Sequence, residues 1–242
     1  MSDSSVERRL PLFYSKPVPL RAENHRHHAL AKQADFGFAA NAGAVPLNAV
    51  EFASAAHSFP VVFTSGSKPM PVAVLSLTGG RNGFVDADGA WRAGEYVPAY
   101  VRRYPFIFFE QRAAGQYTLG IDAASTLLHA DGEGQPLFAN DGPAEVVQRA
   151  LEFCRTYQHE LLATQHFTKT LRDADLLLKR SLNVRRGDGS SQLLSDFQVA
   201  DEKKLKSLPD EVVLDWHRKG YLGAIGAHLI SLGCWPRLAA RD

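Results

Sequence analysis

The sequence predicts an α+β fold: a mixed, mostly antiparallel sheet from the N-terminal part, packed against C-terminal helices. Residues 25–140 are short apolar runs separated by Gly, Pro, Asp and Asn, the punctuation of strands. From residue 143 onward, apolar residues recur at helix spacing. Within the first of these parts, Trp91–Phe109 gathers one Trp, three Tyr and three Phe around the adjacent Arg102 and Arg103. That much aromatic surface suits the centre of a sheet core with polar groups held at its edge.

The elements follow in order. Residues 1–24, punctuated by Pro11, Pro17 and Pro19, read as an extended lead-in that either adds an edge strand or drapes over the body. Residues 25–242 read as a single α+β domain, β-rich over 25–140 and helical over 143–242. Within the β-rich part the strand runs are Val61–Phe63, Val72–Leu77, Phe84–Val85, Phe106–Phe109, Thr118–Ile121 and Leu127–Leu128. Asp88-Gly89 and Asp131-Gly132 sit between such runs and predict hairpin turns over 84–91 and 127–138. Asp141-Gly142-Pro143 offers a helix cap with Pro in the first turn. The periodic run from Val146 to Leu162 continues through Phe167 and Leu171 to Leu178, with a break expected near Gln165-His166. Arg185–Ser191 is a loop, Phe197–Val199 a short strand, and Asp201 caps a helix from Glu202 to Leu208. A last helix carries Gly223, Gly226 and Ala227.

Composition narrows the function. The 242 residues carry 27 Lys and Arg against 26 Asp and Glu, and a net charge of +1 leaves no electrostatic footprint for nucleic acid. The longest apolar run, Tyr221–Trp235, falls short of the ~20 residues a membrane span needs and holds His228 at its centre. The N-terminus is polar and has no signal-peptide pattern, so a cytoplasmic address is expected, with signal-independent export left open. Cys154 and Cys234 lie in helical patterns and read as reduced, buried thiols.

The chemical motifs are sparse. Ser65-Gly66-Ser67-Lys68 has the spacing of a serine–lysine nucleophile pair but lies in a turn between strands instead of opening a helix. Gly79–Gly83 lacks the Lys-Ser/Thr of a phosphate loop. His25, His27 and His28 form the one dense histidine cluster, with Glu51 and His57 as further possible ligands; a solvated or structural cluster is the alternative to a metal site. Arg102 and Arg103, on a strand, point to opposite faces. The inward one either binds a carboxylate or phosphate, or pairs with Glu95, Glu110 or Asp86 as structural cement. His228 and Ser231 stand one turn apart on an otherwise apolar helix and need hydrogen-bond partners once buried.

The order of segments supplies a resemblance. Val45-Pro46-Leu47, Glu51-Phe52, Phe59–Phe63, Gly83–Asp86, Gly89-x-Trp91 and Tyr96–Phe106 are followed by Val199-x-Asp201–Leu205 and Ala227-His228-Leu229-x-Ser231-Leu232. Together they resemble the bacterial SapC family over nearly the whole chain. The resemblance implies a link to the surface layer or to serum resistance, and carries no catalytic residue, cofactor or substrate with it.

The sequence reading is therefore a non-catalytic accessory or binding protein that uses no cofactor. Its ligand-binding candidates are Trp91, Tyr96, Arg102, Arg103, Tyr104 and His228, and its partner is a protein or a small anionic ligand. The alternative is an enzyme with a site between the sheet and the C-terminal helix. It draws on His228 with Arg102 or Arg103, or on a metal at His25, His27 and His28.

Overall fold

The computed structural model describes residues 10–32, 35–110, 116–140, 142–185, 189 and 191–241. Part of the expected lead-in (1–9), Asp141 of the expected cap, and most of the 185–191 loop lie outside the described residues.

The strands are β1 (Pro17–Pro19), β2 (Ala29–Leu30), β3 (Ala44–Pro46), β4 (Val61–Thr64), β5 (Pro71–Val74), β6 (Phe106–Glu110) and β7 (Tyr117–Asp122). They continue with β8 (Leu128–His129), β9 (Gln135–Pro136), β10 (Phe138–Ala139), β11 (Gly142–Pro143), β12 (Leu177–Arg185) and β13 (Ser191–Ala200). The helices are α1 (Ala22–His25), α2 (Phe52–Ala55), α3 (Ala99–Arg102), α4 (Glu145–Asp173), α5 (Glu202–Leu205), α6 (Asp210–Arg218), α7 (Tyr221–Ser231) and α8 (Trp235–Ala239). Every strand pairing is antiparallel, so the α+β class holds.

The chain divides into two compact units. The first comprises Met1–Ala34 and Arg103–Cys154. Its main sheet has the order β1-β7-β6, so the lead-in does add an edge strand. Phe106, Leu119, Ile121, Leu137, Val147 and Cys154 form its core. The buried Asp122 carboxylate holds β1 in place by accepting from the Ser15 and Lys16 amides at 3.0 and 2.7 Å and from the Tyr104 hydroxyl at 3.1 Å. Gly120 is required by packing, since a Cβ there would drive into the Phe109 ring. The expected 127–138 hairpin takes another form: β8 and β9 flank β2 instead of pairing with each other.

The second unit comprises Asp35–Arg102 and Arg155–Asp242. Its five-stranded sheet has the order β12-β13-β4-β5-β3. Phe52, Phe63 and Phe167 meet edge to face or tilted, with centroids 6.2–6.5 Å apart, and anchor the core where α2 and α4 reach the sheet. The turn at Asp88-Gly89 is present, with Gly89 at φ +78° and the Asp86 carboxylate accepting from the Asp88 and Ala90 amides.

The expected helix to Leu178 is corrected. α4 runs unbroken through Gln165-His166 and stops at Asp173. Asp175 adopts φ +51°, the Leu176 amide bonds back to the Leu171 carbonyl at 2.9 Å, and the Asp175 amide bonds to Arg172 at 2.8 Å. This is a Schellman stop with Asp in the position usually held by Gly. The chain then turns directly into β12, making residues 177–200 a long hairpin within the part expected to be helical.

Trp91–Phe109 is likewise not one stretch of sheet. Trp91 makes an isolated bridge to Val85, residues 99–102 form the helical turn α3, and only Phe106–Glu110 is strand. Pro98 accepts the amides of Val101 and Arg102 and opens α3. Pro105, which lacks an amide proton, stands just before the strand. Arg102 and Arg103 are therefore not alternating strand residues.

Candidate functional site

The sequence candidates fall into separate groups. Trp91, Tyr96, Arg102 and His228 belong to the second unit; Arg103, Tyr104, His25, His27 and His28 belong to the first.

Tyr96 and Arg102 do meet. The Tyr96 hydroxyl donates to the Glu51 carboxylate at 3.0 Å and accepts from the Arg102 guanidinium at 3.2 Å. Arg102 also donates to the Val97 carbonyl at 3.0 Å and lies over the Tyr96 ring. Glu51 is buried and further accepts from the Asn48 and Ala99 amides at 2.9 and 2.7 Å. Desolvation pushes the Glu51 carboxyl up despite those donors, and desolvation together with Glu51 pushes the Tyr96 phenol up to about 12. Two of the three acids expected beside the inward arginine are otherwise engaged: Glu95 is gripped by Arg237 and Arg241, and Asp86 caps its own turn.

Trp91 packs against Phe36 and Phe84, at 5.7 and 6.0 Å between ring centroids. In the first unit, Arg103 lies over the Tyr14 ring at 5.6 Å and Tyr104 is tied to Asp122. These aromatic and guanidinium groups chiefly contact their own fold.

His228 is fully buried. Its Nε2 accepts from the Ala200 amide at 3.0 Å, so its Nδ1 must carry the proton and donates to the Val61 carbonyl at 2.9 Å. β13 and β4 pair at Phe197 with Thr64 and at Gln198 with Phe63. Continuing that register would bring Ala200 opposite Val61, and the imidazole stands in for the missing ladder bond. Ser231 completes the splice: its hydroxyl accepts from the Val61 amide at 2.9 Å and donates to the His228 carbonyl at 2.6 Å. Burial pulls the His228 imidazole down to about 4, keeping it neutral.

The histidine cluster does not assemble a metal site. His25 is buried with Nδ1 against the Arg21 backbone, and its ring lies 5.4 Å from that of His28. Among the described residues no group of three or more His, Cys, Asp or Glu is placed to hold a metal ion.

The open concavity lies elsewhere. Between the β12–β13 hairpin and the α7–α8 region runs a trench of about 550 Å³. Its walls are Leu178, Leu182, Phe197, Val199, Leu229, Leu232 and Trp235, and its rim carries Arg180, Ser181, Asp201, Glu202 and Lys203. A second depression of about 510 Å³ shares Leu182 and Trp235 and continues past Val184, Pro236 and Ala239. Each has the volume of a ligand site. The rim acids are already engaged: Asp201 accepts the Lys203 and Lys204 amides, capping α5, and Glu202 pairs with Lys206 at 2.8 Å. Arg180 and Lys203 have no such partner among the described residues.

Sequence reasoning missed this trench because the start of β12 was expected to extend the preceding helix, so no hairpin was expected there. The signal was present: Gly187-Asp188-Gly189 between two apolar-bearing segments is a hairpin cue.

A mostly antiparallel α+β protein with an apolar trench is the class that fold and site define. The chain belongs to the SapC family, whose profile matches residues 20–238. No curated protein and no solved structure matches it. Among the described residues no helix is long and apolar enough to cross a membrane.

Proposed function

We propose that the protein is a non-catalytic accessory or binding protein, and that its binding site is the trench beside the β12–β13 hairpin. The observation that carries this reading is the contrast in how the polar groups are used. Glu51, Tyr96, Arg102, Tyr104 and His228 spend their hydrogen bonds on their own backbone and side chains. The trench instead offers apolar walls and two cations, Arg180 and Lys203, with no acidic partner among the described residues. The enzyme alternative needs His228 to meet a substrate, and a buried ring with both nitrogens engaged favours the binding reading over it. The surface-layer link suggested by the family's name enters only as a place where a partner could be met.

The test uses 1-anilinonaphthalene-8-sulfonate, an apolar anion, titrated into the folded protein with near-ultraviolet circular dichroism as the check on folding. Its fluorescence is expected to rise with the native chain and to fall at least fivefold with Leu182→Glu, while Arg102→Ala leaves it unchanged. Loss with Arg102→Ala and retention with Leu182→Glu returns the site to the aromatic–arginine block.

A further inference from the structure

The trench has a feature that small-molecule clefts lack: one of its walls is a free sheet edge. β12 closes the order β12-β13-β4-β5-β3 and, among the described residues, pairs on one side only, leaving the other side of a nine-residue strand open to a further strand. An open edge offers a row of amides and carbonyls ready to accept another strand. β13 outruns its other neighbour, since β4 pairs only with Phe197 and Gln198, so the distal half of the hairpin stands without a third strand. Two-stranded ribbons are marginal by themselves and gain from a further partner.

Side-chain alternation fixes what that partner must look like. Leu178, Arg180, Leu182 and Val184 share one face of β12; the first three line the trench and Val184 lines the depression beside it. Lys179 and Arg185 fall on the other face. β12 therefore carries three cations and no acid, and among the described residues none of the three has an acidic partner. Cations on an edge discourage a second copy from pairing in the same way, because like charges would stand side by side. They favour a strand of opposite sign.

From the open edge, the apolar trench and the unpaired cations we infer that β12 receives an extended acidic polypeptide segment as an added antiparallel strand. Its alternate apolar side chains enter the trench beside Leu182 and Trp235, and its carboxylates, on the opposite face, meet Lys179 and Arg185. The inference rests on the trench reading and names the partner's chemistry.

The probe is a fluorescein-labelled peptide of four Val-Glu repeats with blocked termini, followed by anisotropy against the full chain. Binding is expected to weaken at least tenfold with Lys179→Glu, an exposed change that spares the core, and to weaken on raising salt from 0.15 to 0.5 M. The peptide is also expected to slow amide exchange within residues 177–185. Equal binding of a Val-Lys peptide overturns the inference. So does equal binding of a Val-Glu peptide with alternate amides methylated, or a peptide complex that leaves 177–185 unprotected. If the naphthalene sulfonate binds in the trench and the Val-Glu peptide does not, the inference fails while the trench reading stands. Concentration-dependent dimerisation that protects 177–185 without peptide also overturns it, because the occupant is then a second copy.

Discussion

His228→Ala is expected to lower the unfolding free energy by about 4 kcal/mol, read from urea denaturation at pH 7.5. The change orphans the Ala200 amide and the Val61 carbonyl inside the protein, at about 1–3 kcal/mol each. It also leaves a ring-sized void against Phe63, 5.0 Å away between centroids, which adds to the loss. His228→Phe fills the space and still strands both backbone groups, so it is expected to recover only part of the stability. A substrate-binding histidine would behave differently, since removing it would cost activity or affinity and little stability.

The same residue sets an acid limb. The imidazole titrates at about 4 in the folded chain against 6.5 for the free group. A depressed folded pKa means that the unfolded chain binds the proton more readily. The stabilisation is whole above about pH 6.5 and is lost as pH falls towards 4, a swing on the order of 3 kcal/mol. The urea midpoint of the wild type is expected to fall across that window, and that of His228→Phe to fall much less.

Glu51→Ala is the second large effect, an expected loss of about 4 kcal/mol in the same measurement. Two buried amides, those of Asn48 and Ala99, and the Tyr96 hydroxyl lose their acceptor together. Glu51→Gln keeps the shape but swaps one acceptor oxygen for an NH2 facing donors, and about half that loss is expected. The pH sense is opposite to that of His228. The raised folded pKa of Glu51 makes its contribution greatest below the carboxylate's ordinary 4.5 and weaker as pH rises through the raised value. If Glu51→Ala retains full stability, the Glu51–Tyr96–Arg102 cluster is not cement and its claim to be a ligand site revives.

The fold class was legible because strand punctuation and helix periodicity are separate signals, and each dominates its own part of the chain. Where the reading erred, a local conformation was carried by a residue that does not announce it. Asp175 stops α4 in a left-handed conformation that Gly would have flagged, so the apolar period ran on into Leu177 and Leu178. β12 has one β-branched residue, Val184, and its strand character comes from pairing with β13.

The site was legible in a narrower sense. The sequence asked correctly for partners to His228, because a polar residue on an apolar helix must be satisfied when buried. It could not supply them, since Val61 lies 167 positions away and Ala200 on a third element. Whichever of Arg102 and Arg103 points inward was expected to pair with one of three acids, and Arg102 instead reaches Glu51 through Tyr96. The trench drew no notice because apolar residues on a hairpin and a helix look like core until the fold leaves a gap between them.

Placing a photo-cross-linking p-benzoylphenylalanine at Leu182 in one chain and at Arg102 in another, each expressed in its native cells, tests the trench most directly. The account predicts a discrete adduct from position 182 whose yield falls when Lys179→Glu is added, and no adduct from position 102. Adducts from position 102 alone, or a yield at 182 indifferent to Lys179→Glu, would contradict it.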